Sequence, residues 1–508
     1  MNALAAALEH HQAGRPDAAE PLYVEALAAD PCDPTALYLY GLFNFEAGRA
    51  ERACELLQTV VDLRPDHAEA QATLAGVRHW RGEFARAVDA YRCAVQIAPN
   101  HAGALVGLAN ALRELGDAAA ARAAAEDAVR RHPALVEAHM ALGAVRQAEG
   151  HADSAVEAFE SAVAANPAQV GPRQSLALAL MDAGRPEAAL ASADRALELD
   201  PTSPDAWFAR GAALIALHRP AEAVMALDCS AAIEPSRAAT QLSLGNAHAE
   251  LDHADRAADC LKRALALDPA SKEAHASLAS VYLMAGKEAA AERHARLALA
   301  LDPDMVVAHQ NLASILAGQG RDEEAKRHRD VAYGGRCLFI DRTPGALCTV
   351  LVVATSESGN VPLRLLLPTT RFDRLRWVIE YAREGDVLPS YDVVFNAVGD
   401  PDLAEPTRAP MAQFMRGGRR PVLNDPAKVA ETRRDRTAAH LGDIPGVVTP
   451  RTLRLGGEAM LAAEIDFPAL IRPIGAHGGQ GLLLAREPAD LCDVDPCRDY
   501  YLTQFHDA

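Results

Sequence analysis

Apolar residues recur with a helical period along the first two thirds of the chain. Stretches such as AERACELLQTVVDL (50–63) and TALYLYGLFNFEAG (35–48) carry an apolar residue at every third or fourth position, which predicts amphipathic helices. These helical stretches come in pairs, because a glycine separates the two members and a proline begins the next pair. The pattern therefore predicts an array of helix pairs from the N-terminus to about residue 333.

A repeat of 34 residues underlies the pairs. Prolines mark it at positions 31, 65, 99, 133, 167, 201, 235, 269 and 303. Alanine stands twelve residues before each proline, and only glycine or alanine stands 24 residues before it. Glycine occupies the position seventeen residues before most of the prolines, and His218 and Asp252 replace it in two units. We expect this glycine to end the first helix in the left-handed conformation, and the small residues to lie where two helices cross.

Nine such units and a more polar tenth (304–333) resemble the tetratricopeptide repeat (TPR) family. The resemblance implies a right-handed superhelix of helix pairs whose concave groove binds peptides or partner proteins. The expected fold class is therefore mainly α: a TPR α-solenoid of about ten units over residues 1–333, followed by a smaller α/β region. The leading hypothesis for function is a binding protein that recruits a partner through the groove.

The groove positions give a limited view of the partner. The lysine that clamps a C-terminal carboxylate in some TPR proteins is missing, and so is an asparagine ladder. Three asparagines are candidate contacts, with a satisfied helix-surface amide as the alternative: Asn110, Asn246 and Asn311. Four carboxylates predict a basic partner segment unless they belong to an ordinary solvated helix face: Glu46, Glu114, Asp182 and Glu250.

After residue 333 the period stops and strand patterns begin. Runs such as CTVLVVAT, VPLRLLLP and YDVVFNAVGD predict strands, while APMAQFMRGG and AKVAETRRDRTAAHLGD predict helices. Strands that alternate with helices indicate an α/β region whose first sheet is largely parallel. We divide it into a linker (334–348), a first part (349–424) and a second part (425–508).

The order of VLNDP, RRDRTAAHLGDIPGVVTPRT, FPALIRPIGAHGGQGLLLA and YYLTQFHD resembles the pre-ATP-grasp and early ATP-grasp segments of carboxylate–amine ligases. The resemblance implies ATP as a cofactor. Its implied contacts are Arg436 and Arg472 at the phosphates, a lid of Gly475, Gly478, Gly479 and Gly481, and Gln504 and Phe505 near the adenine.

The segment departs from that family in two ways. Arginine replaces lysine at both phosphate positions, which keeps the charge and changes its geometry. The family's magnesium ligands follow the point where this sequence stops, so Mg²⁺ would need ligands from elsewhere. We expect an incomplete ATP-grasp-like region that does not catalyse ligation by itself. The alternative is the TPR arm of an ATP-dependent ligase. A TPR glycosyltransferase is disfavoured because no nucleotide-sugar domain follows.

Several motifs of this region have plainer interpretations. GAHGGQG also suits an ordinary β-hairpin turn. Its His477 would then occupy an exposed loop position. The polar loop Thr355–Asn360 follows the first strand, where α/β folds bind ligands, but it also suits a simple turn. Cys492 and Cys497 have no further ligands nearby in the sequence to make a zinc site.

Charge narrows the class of partner, and cysteine content indicates the cellular compartment. The chain carries a net charge of −19, of which −16 falls on residues 1–333, so we expect neither nucleic acid nor an anionic membrane to bind there. No stretch is long and apolar enough for a membrane span, and the N-terminus lacks the basic start of a signal peptide. Nine scattered cysteines without a CxxC motif predict reduced thiols in a cytoplasmic protein.

Overall fold

The computed structural model describes residues 3–343, 345–357, 360–361, 363–368, 371–383, 385–402, 405–417, 420–442, 449–474 and 482–505. The chain divides into two compact units, Met1–Ser236 and Arg237–Ala508.

The first unit consists of paired helices, as the 34-residue period predicts. The helices are α1 (Ala3–Gln12), α2 (Pro16–Ala29), α3 (Pro34–Glu46), α4 (Ala50–Leu63), α5 (Ala68–Trp80), α6 (Phe84–Ile97), α7 (Ala102–Leu115), α8 (Ala118–Arg131), α9 (Val136–Ala148), α10 (Ala152–Ala165), α11 (Val170–Asp182), α12 (Pro186–Leu199), α13 (Pro204–Ala216) and α14 (Pro220–Ile233). The odd-numbered helix of each pair is called the first helix, and the even-numbered one the second.

The second unit begins with three more pairs of the same kind. They are α15 (Ala238–Glu250), α16 (Ala254–Leu267), α17 (Lys272–Met284), α18 (Glu288–Leu301), α19 (Val306–Gly318) and α20 (Asp322–Gly334). Helices α15 to α20 therefore continue the predicted repeat to its expected end near residue 333.

The turn inside each pair requires a left-handed backbone. Gly48, for example, has φ = 75°, and no heavy atom would lie within 4 Å of a Cβ added there. Where the sequence lacks this glycine, His218 and Asp252 take φ values of 54° and 59°. Because the two substitutes adopt the same conformation, the turn geometry belongs to the repeat and not to glycine alone.

The small residue of the first helix faces a residue sixteen positions later, on the second helix, and the sizes of the two are complementary. Glycine faces a large side chain in four pairs: Gly41 with Leu57, Gly143 with Phe159, Gly211 with Leu227 and Gly245 with Leu261. Alanine is paired with alanine in three others: Ala109 with Ala125, Ala177 with Ala193 and Ala279 with Ala295. These seven helix crossings are thus filled by two different combinations.

The α/β part of the second unit opens with a five-stranded sheet. Its strands are β1 (Leu338–Asp341), β2 (Thr349–Ala354), β3 (Asp373–Val378), β4 (Val393–Asn396) and β5 (Val422–Leu423), in the order β1-β3-β2-β4-β5. All neighbours are parallel except β1 and β3, so the prediction of a largely parallel first sheet is confirmed. Helices α21 (Leu363–Leu366) and α22 (Glu405–Gly417) accompany it.

Two features of this sheet differ from the sequence prediction. Strand β1 lies inside the predicted linker, and VPLRLLLP contains the short helix α21 instead of a strand. The following segment forms β3, in which buried Leu375 and Trp377 alternate with Arg374 and Arg376. Its polar alternate residues hide the strand from a search for continuous apolar runs.

The second sheet is antiparallel. Strands β6 (Thr452–Gly456), β7 (Ala469–Pro473), β8 (Leu483–Ala485) and β9 (Asp499–Gln504) pair in the order β6-β9-β7-β8. The helices of this part are α23 (Pro426–Glu431), α24 (Arg434–Gly442) and α25 (Gly457–Ala462). The single helix predicted from AKVAETRRDRTAAHLGD is therefore divided at Thr432, whose hydroxyl donates to the Val429 carbonyl at 2.8 Å.

Helix α20 packs against the first sheet within the second unit. Ala332, Tyr333 and Val378 form a small buried cluster, and the Tyr333 and Tyr381 rings lie 5.5 Å apart. The Tyr381 hydroxyl donates to Asp330 Oδ1 at 2.8 Å. The last repeat and the sheet thus share one interface.

A final observation concerns membranes. Among the described residues, no helix is both long enough and apolar enough to cross a bilayer.

Candidate partner-binding face

The first helices of the first unit stand side by side. Each of α1, α3, α5, α7, α9 and α11 packs against the next first helix in the unit as well as against its own second helix. We call the outward side of these helices the first-helix face. On it, residues at one repeat position form rows spaced 34 residues apart along the chain. Tyr38 Oη lies 3.2 Å from Thr73 Oγ1 across one such junction.

Three of the four predicted carboxylates lie on this face in the first unit. They lie in the last two positions of every second first helix, and each contacts a group of the same chain. His11 Nε2 lies 2.8 Å from Glu46 Oε2, Arg113 Nη2 lies 2.5 Å from Glu114 Oε1, and the Gln147 amide donates to Asp182 Oδ2 at 2.6 Å. The Glu46 side chain nevertheless remains 65% exposed. A carboxylate accepts several hydrogen bonds, so these groups keep capacity for a partner.

The fourth carboxylate, Glu250, holds the same row position in the second unit. It forms no ion pair with any of the described residues. Partial burial raises the pKa of its carboxyl group, although the residue as a whole is exposed. A cationic group from a partner would relieve this unfavourable desolvation.

The three candidate asparagines differ in their surroundings. Asn110 and Asn246 are half-buried, and their side-chain amides form no hydrogen bond within the described part of the chain. Asn311 is 9% exposed, and its amide donates to Ser280 Oγ at 2.9 Å. Asn110 and Asn246 therefore offer unused hydrogen-bonding groups, whereas the Asn311 amide already joins two first helices.

The structure adds an aromatic residue that the sequence analysis passed over. Trp80 is 65% exposed at the end of α5, and its ring meets Phe45 edge to face at 6.2 Å. It holds the same row position as Glu46 and Glu114, one repeat after the first and one before the second. The other residues of this row are small, acidic, glutamine or methionine, so a single tryptophan among them was the signal available in the sequence.

The predicted nucleotide contacts fall in or beside the second sheet. Arg472 lies on β7, where burial and then the nearby Arg434 guanidinium lower its pKa. Arg436 is exposed on α24, and Gln504 ends β9 with Phe505 directly after it. The four lid glycines, Gly475, Gly478, Gly479 and Gly481, lie outside the described residues, as does His477.

The loop after β2 lies at the carboxyl edge of the parallel sheet, as predicted. The Thr355 hydroxyl donates to Glu380 Oε1, and the Ser356 amide donates to the same oxygen at 3.0 Å. The Asn360 amide donates to the Thr355 carbonyl at 2.8 Å. These bonds use the Thr355 hydroxyl and the Asn360 amide within the loop, so they stabilise a turn.

Metal-ligating side chains do not converge in the described parts of the chain. No group of three or more histidine, cysteine or carboxylate residues there has the geometry to hold a metal ion. Cys492 and Cys497 are both exposed free thiols.

Comparisons with known proteins match the repeat region. Two tetratricopeptide repeat family models match the chain, one over residues 10–77 and the other over 106–170, 175–238 and 242–306. Together they cover slightly more than half of the 508 residues. They end before the α/β region, and nothing in the comparisons supports its resemblance to carboxylate–amine ligases.

Solved structures match at low identity. A chain of the APC/C hetero-tetramer Cut9–Hcn1 is 19% identical with a TM-score of 0.46, and the match covers 59% of each chain, less than two thirds of the Cut9–Hcn1 chain. A tetratricopeptide repeat protein from Parabacteroides merdae is 14% identical (TM-score 0.42; 48% of this chain, 97% of that one). YrrB, a TPR protein with an unusual peptide-binding site, is 22% identical (TM-score 0.30; 37% and 96%). No curated protein matches the chain.

Proposed function

Because the chain belongs to the tetratricopeptide repeat family, we propose that it is a scaffold whose first-helix face binds an extended, basic segment of a partner protein. The carboxylates of one row carry this proposal. Glu46, Glu114 and Asp182 recur every second repeat in the first unit, and Glu250 holds the equivalent repeat position in the second. An extended segment with lysine or arginine side chains complements such a row.

The charge of the repeat region supports the same partner class. Residues 1–333 carry −16 of the net −19 charge, which attracts cationic segments and speeds their association. Nucleic acid and anionic lipid carry the same sign of charge as the protein and are repelled by it.

A charge-reversal experiment tests the proposal. The probe is a displayed library of random 12-residue peptides, selected against the purified chain and sequenced. The test variant combines Glu46→Lys, Glu114→Lys and Asp182→Lys. The control combines Glu51→Lys, Asp89→Lys and Glu160→Lys, which are exposed on second helices and make the same change in net charge.

We expect the wild-type chain to enrich lysine- and arginine-containing peptides. The test variant should weaken the best of them by at least about tenfold, because three rim charges contribute about 0.5–1 kcal/mol each. The control should weaken it much less, since its changes lie away from the face. Equal loss in both variants would show that net charge alone attracts the peptides, and an absence of enrichment would refute the proposal.

A second candidate function is polyphosphate binding by the α/β region, with ATP as the ligand. Arg434 and Arg472 support it, because two cations lie near one another and neither has an ion-pair partner among the described residues. A polyphosphate would neutralise both. The resemblance to carboxylate–amine ligases assigns phosphate contact to Arg436 and Arg472, the lid to the four glycines, and the adenine contact to Gln504 and Phe505. Mg²⁺ would still require ligands from outside this sequence. The alternative function, an ATP-dependent ligase, depends on those magnesium ligands.

Calorimetric titration of the folded chain with ATP, with and without Mg²⁺, tests the second candidate. Binding that Arg472→Ala abolishes and Arg486→Ala preserves would support it, since Arg486 is exposed after β8 and has no ion-pair partner in the described structure. A folded wild-type chain that releases no heat with millimolar ATP would exclude it.

A further inference from the structure

A cleft between α5 and α7 on the first-helix face has glycines in place of side chains. A Cβ added at Gly107 would lie 2.3 Å from Cζ and 2.5 Å from the hydroxyl oxygen of Tyr91. A Cβ added at Gly76 would lie 3.6 Å from the same hydroxyl. Tyr91 therefore extends from the second helix α6 between the two first helices, and its hydroxyl lies at the base of the cleft.

The Tyr91 hydroxyl is unpaired in the part of the chain that the structure describes. The residue is 7% exposed, and its hydroxyl forms no hydrogen bond within the described residues, which include every residue of the first unit after Asn2. Leu57, Phe159 and Leu227 occupy the equivalent repeat positions and fill their crossings without a hydroxyl. Its oxygen is not one of the fully buried polar atoms that lack a partner, so it reaches the surface of the crossing. Since packing does not require the oxygen and no group of the described residues bonds to it, it is available to a ligand.

Other accessible groups surround the same cleft. Asn110 follows Gly107 by one helical turn, so its free amide lies on the same side of α7. Trp80 follows Gly76 by one turn of α5 and is the most exposed aromatic side chain among the described residues. Glu114 lies one turn beyond Asn110, with 37% of its side chain exposed. The α5–α7 cleft is accordingly defined by Gly76, Trp80, Tyr91, Gly107, Asn110 and Glu114.

We propose that the α5–α7 cleft binds one lysine or arginine residue of the partner segment. The Tyr91 hydroxyl and the Asn110 amide hydrogen-bond to its peptide group, and Gly76 presents no side chain that would block its approach. Its side chain lies along the Trp80 ring, with the cationic end toward Glu114. This inference rests on the proposed scaffold function and assigns it a specificity-determining site.

The nearby arginines of the chain leave the Trp80 ring uncovered. Arg113 is already paired with Glu114 at 2.5 Å, and the Arg78 guanidinium donates to Gln58 on the second helix α4. Neither arginine lies over the Trp80 ring. The exposed face of the indole thus remains open for a cation from outside.

The decisive variant is Tyr91→Phe, which removes one oxygen and keeps the ring that fills the crossing. The probe is the basic 12-residue peptide that the wild-type chain selects from the displayed library, and its Kd is measured by calorimetry. We expect Tyr91→Phe and Asn110→Ala each to raise the Kd about fivefold, as for a lost hydrogen bond. Trp80→Ala should raise it about 30-fold, as for an aromatic hot spot. The control, Met225→Ala, removes an equally exposed side chain from the second helix α14 and should leave the Kd unchanged.

The outcomes separate this inference from the function on which it rests. If the peptide binds all three cleft variants as tightly as wild type, yet is released by the Glu46, Glu114 and Asp182 reversal, the cleft assignment is wrong and the scaffold function stands. If the wild-type chain selects no basic peptide, both are wrong. An unchanged thermal stability of Tyr91→Phe together with a loss of peptide affinity would support the site most directly.

Discussion

Gly211 and Leu227 fill one helix crossing as a complementary pair. A Cβ added to Gly211 on α13 would lie 2.5 Å from Cγ of Leu227 on α14. One repeat earlier, the equivalent positions are Ala177 and Ala193, which are both fully buried. The same crossing is therefore built from glycine with leucine or from alanine with alanine.

The first prediction is that these residues are energetically coupled. Leu227→Ala should destabilise the chain by about 3 kcal/mol through the cavity it leaves, and Gly211→Ala by about 1–3 kcal/mol through overpacking. The double variant recreates the combination of Ala177 and Ala193, so it should cost at least about 1 kcal/mol less than the sum of the single variants. Urea unfolding followed by helix content measures all four members of the cycle. Strict additivity would show that the two side chains do not share one space.

The second prediction concerns the left-handed turn. Gly48→Ala should destabilise the chain by about 1–2 kcal/mol, because φ = 75° is unfavourable for a residue with a Cβ although nothing is near enough to clash. The matched control is Gly318→Ala, in the last turn of α19, where φ is not positive and the space is also open. That change should stabilise by about 0.5–1 kcal/mol, since glycine is a poor helix former. Thermal unfolding of both variants gives the comparison, and shifts of the same sign would contradict it.

The repeat made most of the fold accessible from sequence, because one pattern recurs nine times and each recurrence confirms the others. A single strand has no such support. Arg374 and Arg376 give β3 a polar face, and its buried face rests on Leu375 and Trp377 alone. The contacts of the predicted site residues were harder to predict, because they join neighbouring repeats. The bonds of Glu46 to His11 and of Asp182 to Gln147 span 35 residues, so they appear only once neighbouring repeats are packed together.

The third prediction is a pH dependence that arises from paired histidines in the second unit. His309 Nε2 lies 2.8 Å from the Pro303 carbonyl and so carries the proton, which leaves Nδ1 as the acceptor of a bond from His328 Nδ1 at 2.7 Å. One repeat earlier, His275 and His294 meet through their Nδ1 atoms at 3.0 Å. Two neutral rings can form each pair, because one Nδ1 donates and the other accepts. Protonation of the accepting ring removes the acceptor and weakens the pair.

The direction follows from the surrounding groups. Burial, then His275 and Arg293, lower the pKa of His294 to about 4. Burial, then His309, Arg296 and Arg327, lower the pKa of His328, and only Glu324 opposes them. Because both folded values lie below the unfolded value of about 6.5, this stability is complete above pH 6.5 and is lost as the pH falls toward 4. We expect a loss of roughly 2 kcal/mol for the His294 pair over that range.

A variant taken from the protein's own sequence isolates this effect. Gln241 and Cys260 hold the equivalent positions one repeat before His275 and His294. The double change His275→Gln and His294→Cys should therefore fold and lose less stability than wild type between pH 7 and pH 4.5, as measured by urea unfolding at each pH. Parallel pH profiles for the two proteins would show that other groups cause the acid sensitivity.

The last prediction concerns the interface between α20 and the first sheet. Tyr381 donates to Asp330 at 2.8 Å, while Lys326 pairs with the other carboxylate oxygen, also at 2.8 Å. Tyr381→Phe keeps the ring against Tyr333 and removes only the hydroxyl. The lost bond contributes about 1 kcal/mol to holding α20 in place, so the α20 amides should exchange their hydrogens about fivefold faster. Tyr391→Phe is the control, since the Tyr391 hydroxyl has no hydrogen bond within the described residues. If α20 exchanges at the same rate in both variants, packing of Tyr333 alone holds the last repeat against the sheet.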